Sequence, residues 1–167
     1  MADYFALPVI PTVLGHDARL QFIYEDDGLE VIRLAALGEH PGVFNVAGDD
    51  FLMLSQATRQ AGKATVPVFE PLMATVGSWV KRAGFADFTA DQIRYLTYGR
   101  GLDTTRLKEK FGFTPRYTTP EAFAEFLRVR ELPYSLPGER LESLERNIAH
   151  ALGSATKSEA AEQMAGG

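Results

Sequence analysis

An alternating pattern of side chains predicts a short strand near the start of the chain. Leu20, Phe22 and Tyr24 would lie on one face of this strand, and Gln21 and Ile23 on the other. Three consecutive carboxylates follow the strand directly. Because negative charge is favourable at the N-terminal end of a helix dipole, these carboxylates predict the start of a helix.

This predicted helix has an amphipathic pattern and a glycine at its end. Asp26 or Asp27 would cap its N-terminus, and Gly38 would end it. Its inward face is predicted to comprise Leu29, Ile32, Ala36 and Leu37.

Glycines and prolines divide most of the remaining chain into short elements. Pro8 and Pro11 exclude a long helix or a central strand within residues 2–15. The mostly apolar segment 42–48 lies between two glycines, which is typical of a strand that is covered on both faces. The other predicted elements are a helix at 55–61, an extended segment at 66–68, and helices that begin at Pro71, Thr89, Asp103 or Thr104, and Thr118 or Thr119.

The C-terminal part of the chain differs in composition from the rest. A narrow apolar stripe predicts one more amphipathic helix, and it comprises Leu141, Leu144, Ile148 and Leu152. Residues 154–167 contain few large apolar side chains, which predicts disorder. We therefore expect residues 1–130 to form the main body and residues 131–153 a linker with a C-terminal helix. Residues 154–167 would be a disordered tail.

Composition narrows the classes of function. The chain has 167 residues, of which 46 % are hydrophobic, so it is long enough to bury a core as one domain. Its net charge of -5 gives no electrostatic footprint for nucleic acid. The absence of cysteine excludes disulfides and thiolate metal sites and fits a cytoplasmic protein. No apolar run approaches the roughly 20 residues that a membrane span needs.

The side chains that usually carry catalysis are not arranged as a self-contained active site. His16, His40 and His150 lie far apart without metal-ligand spacing, so we expect exposed histidines and no metal site. No serine has the glycine elbow of a hydrolase, and no dinucleotide glycine fingerprint follows a strand. No tyrosine is followed four residues later by a lysine. The sequence therefore predicts no catalytic residue.

Arg19, at the entrance of the first predicted strand, is the clearest candidate for ligand binding. A guanidinium group can hold a phosphate or a carboxylate by two-point contact. An ordinary exposed arginine on a surface strand would give the same pattern, since most charged residues are simply solvated. The residues by themselves leave both interpretations open.

Five short segments of the sequence are each weak as a family signature, but their order and spacing together are more specific. An arginine precedes a strand that ends in aspartates at residues 19–27, and Phe-Asn-Val-Ala-Gly follows at 44–48. Asp-Thr-Thr-Arg at 103–106 leads into Phe-Gly-Phe-Thr-Pro at 111–115, and Thr-Pro-Glu-Ala-Phe occupies 119–123. Together these segments resemble the C-terminal half of the NAD-dependent epimerase/dehydratase family, the extended short-chain dehydrogenases that act on nucleotide sugars.

The resemblance implies an α/β fold, namely a substrate-binding lobe with one or two strands of an incomplete Rossmann sheet. By this resemblance, Arg19 would contact the pyrophosphate of a UDP-sugar, and Gln21 and Phe22 would help to form the substrate wall. Arg100 would be a further phosphate contact, with a salt bridge on a loop as the alternative. Residues 44–46 would form the last strand of the parallel sheet.

The family's glycine-rich NAD-binding turn and its catalytic Ser and Tyr-x-x-x-Lys residues have no counterpart in this sequence. In the family they would precede residue 1. We therefore expect a truncated C-terminal portion of a UDP-glucose 4-epimerase-like enzyme, which contributes substrate binding and holds no cofactor itself. NAD would be the cofactor of a full-length member. The alternative is a stand-alone accessory module that binds a separately encoded Rossmann half or another copy of itself.

Overall fold

The computed structural model describes residues 2–82, 84, 89–133 and 135–147, which form a mixed α/β structure. The helices in this range are α1 (Ala2–Phe5), α2 (Glu25–Leu37), α3 (Leu54–Gln60), α4 (Met73–Arg82), α5 (Ala90–Tyr98), α6 (Thr119–Val129) and α7 (138–147). The strands are β1 (Val9–Val13), β2 (Arg19–Leu20), β3 (Leu52–Met53) and β4 (Ala64–Val68). A 3-10 turn (Glu70–Leu72) precedes α4, and a π-helical turn (Leu107–Phe111) lies between α5 and α6.

The four strands form two small sheets. β1 runs parallel to β4, with Val9 opposite Ala64 and Val13 opposite Val68. Pro11 lies within β1. A two-stranded sheet has only edge strands, so the missing N–H of Pro11 is tolerated there, and the prediction that no central strand passes through this segment is confirmed.

The strand predicted from Leu20 to Tyr24 is wrong in length. β2 contains two residues, pairs antiparallel with β3, and forms a parallel bridge between Arg19 and Gly99. After β2 the backbone forms hydrogen bonds with groups outside the sheet. Phe22 N donates to the Thr119 hydroxyl at 3.3 Å, and Phe22 O accepts from Gly48 N at 2.7 Å. These contacts end the alternation that the side-chain pattern indicated.

Two apolar clusters form the core of the described residues. The larger one joins the N-terminal segment, both sheets, α3, α5 and α6 through Tyr4, Phe5, Leu7, Ile10, Ala18, Leu20, Leu52, Leu54, Ala57, Ala61, Leu96 and Phe123. The smaller one comprises Val31, Leu107 and Phe111. Ala122 and Phe123 of α6 are buried, and Phe126 and Leu127 pack against the larger cluster beside them.

The predicted inward face of α2 is wrong, although the helix ends at Leu37 before Gly38 as expected. Leu29, Ile32 and Leu37 are 57 %, 66 % and 76 % exposed, whereas Val31 is buried. The helix packs through Val31 and Leu34 onto the smaller cluster. Its more apolar face has no neighbouring element to cover it within the described part of the chain.

The segment 42–48 does not form a strand that is covered on both faces. It is assigned to no sheet, and Val43 is 79 % exposed while Ala47 and Gly48 are buried. Among the described residues, the backbone groups of 43–47 make no hydrogen bond to another backbone group. The segment therefore has the composition of a buried strand, but among the described residues no strand pairs with it.

Near the C-terminus, α7 confirms part of the predicted last helix. Leu141 is buried and Leu144 is half-buried, while Ile148 and Leu152 lie outside the described residues. The predicted tail at 154–167 lies outside them as well. No helix in the described residues is long and apolar enough to cross a bilayer.

Candidate functional site

Gln21 joins three segments that are far apart in the sequence. Its side-chain Nε2 donates to the carbonyl oxygen of Gly48 at 2.8 Å, and its Oε1 accepts from the backbone N–H of Leu102 at 2.7 Å. A second link lies beside it, because Asn45 Nδ2 donates to the carbonyl oxygen of Asp103 at 3.0 Å. The structure thus brings the segments around Arg19, residues 44–48 and residues 100–106 to one place.

The close approach at Gln21 depends on Gly48. A Cβ atom at this position would lie 2.9 Å from the carbonyl oxygens of both Phe22 and Tyr117. Such distances are too short for a carbon atom, so only glycine allows the three backbones to meet. The amide of Gln21 is used to hold this junction together, which makes it a positioning residue for the loops around it.

Arg19 and Arg100 are neighbours across the short parallel bridge. Arg100 N donates to Arg19 O at 3.1 Å, and Gly99 approaches the Arg19 backbone so closely that a Cβ atom would clash with it. Both arginines are exposed, and neither guanidinium forms an ion pair or a hydrogen bond with another described residue. The predicted alternative of a loop salt bridge for Arg100 is therefore wrong among the residues that the structure describes.

Arg19 and Arg100, exposed on paired backbone segments and without a carboxylate partner among the described residues, form a candidate anion site. Each can donate two parallel hydrogen bonds to a phosphate or carboxylate group. Tyr95 of α5 lies near Arg100. Burial raises the pKa of Tyr95, and a hydrogen bond with the Gln21 backbone and the positive charge of Arg100 partly oppose this shift. The tyrosine is therefore a neutral hydrogen-bond donor near neutral pH.

Phe22 belongs to an aromatic cluster. Its ring stacks on Phe123, with a centroid distance of 5.7 Å and an interplanar angle of 16°. It also lines an apolar cavity of about 150 Å³ together with Phe5 and Phe126. Phe22 therefore forms the wall of a cavity, but one whose lining does not include either arginine.

Side chains from the π-helical turn and its approach hold the segment 42–49 in place. Lys108 Nζ contacts both carboxylate oxygens of Asp49 at 2.5 and 2.7 Å. The guanidinium of Arg106 lies 5.4 Å from the centre of the Phe44 ring, within the range of a cation–π contact. These contacts fix the segment on one side and leave the backbone edge of 43–47 free of ladder partners among the described residues.

Asp27 is a structural residue that sequence reasoning assigned wrongly. The N-cap of α2 is Tyr24, without a side-chain hydrogen bond, so neither Asp26 nor Asp27 caps the helix. Asp27 is fully buried and accepts from Arg116 Nε at 2.6 Å and from the Arg116 backbone N–H at 2.8 Å. No local pattern could reveal this pair, because its members are 89 positions apart.

The histidines and acidic residues that the structure describes are not grouped as metal ligands. Within the described residues, no group of three His, Cys, Asp or Glu side chains could hold a metal ion. His16 is exposed as expected, but His40 is half-buried and its ring centre lies 4.1 Å from that of Phe111. His150 lies outside the described residues.

The strand-to-helix junction at β2 and α2 does not fit the pyrophosphate of NAD, the cofactor that the family resemblance implies for a full-length member. A dinucleotide pyrophosphate needs a glycine turn and a helix N-terminus free of negative charge. The strand-to-helix junction at β2 and α2 instead places Glu25, Asp26 and Asp27 in the first helical turn. The exposed carboxylates of Glu25 and Asp26 at this position would repel a pyrophosphate.

Curated mycobacterial proteins are similar to this chain. One protein of Mycobacterium bovis and two of Mycobacterium tuberculosis, each described as uncharacterized, are 39 % identical to it over 150 residues. The match covers 87 % of this chain and 39 % of each relative, so the chain spans about two-fifths of the length of these relatives. No protein-family model and no solved structure matches the chain. The relatives are thus much longer, and their descriptions name no activity.

Proposed function

We propose that this chain is the substrate-binding portion of a longer NAD-dependent epimerase or dehydratase that acts on a nucleotide sugar, with UDP-glucose 4-epimerase-like chemistry. The chain would bind and orient the nucleotide part of the substrate. The cofactor and the catalytic residues would come from outside the described residues, since these residues do not fit a dinucleotide. The curated relatives extend well beyond the matched segment, which is compatible with such an arrangement.

The convergence on Gln21 is the observation that carries this proposal. Gln21 lies in the first resembling segment and bonds to Gly48 of the second, 27 positions away, and to Leu102, 81 positions away and directly before the third. Asn45 of the second segment bonds to Asp103 of the third. A chance resemblance of short segments would not require them to be neighbours in space. Their meeting supports a shared role at one site.

The two arginines would supply the affinity for the diphosphate. Arg19 and Arg100 stand next to each other on paired backbone segments, and the described residues offer their guanidinium groups no competing carboxylate. The neutral hydroxyl of Tyr95 would be a further donor. Gln21 would act indirectly, by holding the loops that carry these groups.

An uncovered surface supports the view that the described fold is part of a larger one. We call it the open face: the exposed side chains of Leu29, Ile32, Leu37 and Val43, together with the unpaired backbone of 43–47. Exposed large apolar side chains and backbone groups without partners are often found at interaction sites. In a longer protein, further strands and helices would cover this face.

The anion site is tested by the substitution Arg19→Ala. We expect it to weaken the binding of UDP to residues 1–167 by about 1.5–3 kcal/mol, the usual loss for a charge-assisted contact. The melting temperature should hardly change, because the side chain is exposed. Titration calorimetry measures the affinity, and Arg146→Ala is the matched control because Arg146 is also exposed but lies outside the site. Equal UDP affinity of the wild type and Arg19→Ala would contradict the proposal.

A second candidate function is a stand-alone module that binds a separately encoded Rossmann half, and the open face is the observation in its favour. Both candidates predict that residues 1–167 alone expose apolar surface and associate with one another. We expect a concentration-dependent mass by light scattering and a shift to the monomer in the double variant Ile32→Lys/Leu37→Lys. A wild-type monomer that binds no hydrophobic dye would contradict both. Co-purification of a separate glycine-fingerprint protein from the native cell would favour the module.

A further inference from the structure

A small apolar cavity lies between the end of β2 and α6, apart from the paired arginines. It has a volume of about 150 Å³ and is lined by Phe5, Phe22, Ile23, Ala122, Phe123 and Phe126. Every lining side chain is apolar, so a polar group placed there would lose its hydrogen bonds to water. An apolar protein cavity of about this volume is large enough to hold a benzene ring.

The cavity adjoins a wider cleft that carries charge. The cleft has a volume of about 370 Å³ and shares Ile23, Ala122 and Phe126 with the cavity. Its remaining lining is Tyr24, Glu25, Asp26, Glu125, Val129 and Arg130. An apolar pocket thus continues into a cleft with three carboxylates and one guanidinium.

The charges in the cleft do not cancel. Glu125 is bonded to Arg128 at 2.6 Å, and the guanidinium of Arg130 lies over the Phe126 ring at 5.9 Å. Glu25 and Asp26 are exposed and form no ion pair within the described part of the chain. The two carboxylates at the N-terminal end of α2 are therefore available to a cation.

We propose that the cavity and the cleft together bind a small aromatic cation. A phenyl-sized group would occupy the cavity against Phe22 and Phe123, and an ammonium group on a short linker would lie in the cleft beside Glu25 and Asp26. The apolar cavity selects for the ring, and the carboxylates select for positive over negative charge. This site uses neither Arg19 nor Arg100 and so does not rest on the proposed function.

The test compares two ligands of nearly the same shape and opposite charge, 2-phenylethylamine and phenylacetate. Each is titrated into residues 1–167 with labelled Ile and Ala methyl groups. The amine should shift the Ile23 and Ala122 methyl signals with a dissociation constant of about 1 mM or tighter, as expected for so small a ligand. The methyl group of Ile93 on α5 should not move, and phenylacetate should bind more weakly.

Three variants locate the binding determinants. Ala122→Leu fills the cavity and should abolish the methyl shift at Ile23. Asp26→Asn should weaken amine binding about two- to fivefold, the size of an exposed ion pair, and should strengthen phenylacetate binding slightly, because one repelling charge is removed. Arg19→Ala should leave amine binding unchanged, which separates this site from the anion site.

The proposal is overturned by any of three results. The first is the absence of Ile23 and Ala122 shifts at ligand concentrations of about ten times the expected dissociation constant. The second is equal affinity for the amine and for phenylacetate. The third is undiminished binding to folded Ala122→Leu. Should Ala122→Leu fail to fold, Asp26→Asn still decides, because unchanged amine affinity in that variant contradicts the role of the carboxylates.

Discussion

At the scale of single residues, the contacts of Asp27 and Gln21 show how much a side chain's role depends on distant partners. Asp27 stands in a run of carboxylates at the start of a helix, a position where a cap is the usual role. It is instead buried against Arg116, whose side chain is 60 % exposed and covers it from the solvent side. The hydrogen bonds of Asp27 to the backbone of Arg116 and Tyr117 hold the loop that leads into α6.

The substitution Asp27→Asn should destabilise the fold. It keeps the size of the side chain but removes the charge and places an amide donor against the donors of Arg116. We expect the free energy of unfolding to fall by about 1.5–3 kcal/mol, the usual worth of a hydrogen bond to a charged group. Unfolding in urea measures this loss of free energy. Asp26→Asn, one position earlier and exposed, is the control and should stay within about 0.5 kcal/mol of the wild type. A similar loss in both variants would contradict the buried pair.

At the scale of elements, the starts of α5 and α6 are determined by residues close to them in the sequence. Thr89 caps α5 and exchanges hydrogen bonds with Gln92. Thr118 caps α6 in the same way with Glu121. Which face of a helix is buried is less predictable from the local sequence, since the apolar side of α2 is exposed. A cap needs only residues within four positions, whereas burial needs a second element.

The capping box of α6 makes the stability of the protein depend on pH. Hydrogen bonds from the Thr118 backbone and hydroxyl lower the pKa of Glu121 below its ordinary value of 4.5. Because the pKa is lower in the folded state, this stabilisation is complete above the ordinary value and is lost as the pH falls through the folded value. A contact with Thr105 lowers the pKa of Asp103 in the same direction.

We therefore expect thermal stability to fall between about pH 5 and pH 3 and the variant Glu121→Gln to show a shallower fall. An amide side chain does not titrate in this range, so its contribution stays constant. Melting curves at a series of pH values measure the slope. Glu131→Gln, at an exposed position outside the capping boxes, should keep the wild-type slope. An unchanged slope in Glu121→Gln would remove the capping box from the explanation.

At the scale of the whole molecule, a buried lysine ties the segment after α6 to the core. Lys63 is fully buried, and its Nζ donates to the carbonyl oxygens of Leu7 and Pro133. Leu136 N donates to Gly62 O at 2.8 Å beside it. Burial lowers the pKa of Lys63, because a charged ammonium is less favourable away from water. The linker is thus part of the folded body.

A chain that ends at Arg130 should consequently be less stable than one that ends at Asn147. The shorter chain loses the Pro133 acceptor of Lys63 and the packing of Leu141, which is 4 % exposed. We expect the free energy of unfolding to fall by about 1.5–3 kcal/mol, the usual worth of one hydrogen bond to a charged group and also of burying one leucine side chain. The chain that ends at Asn147 keeps these contacts and is the control. Equal stability of the two chains in urea would show that residues 131–147 are a loose extension.

The amino-acid sequence by itself determined the local features of this protein. The α/β class, the end of α2 before Gly38 and the starts of α5 and α6 could all be predicted, since caps and end signals depend on neighbouring residues. The proposed anion site was partly predictable as well. Arg19 and Arg100 were candidates from the resemblance, and the structure makes them neighbours.

Only the tertiary structure decided which of these residues meet and which surfaces are covered. The Gln21 junction and the Asp27–Arg116 pair join positions that are tens of residues apart, so no period or spacing encodes them. The same holds for the open face. An apolar pattern predicts that burial of a surface is favourable, but the surface is buried only where another element packs against it. The described residues provide no such element for the apolar face of α2 or for the segment 43–47.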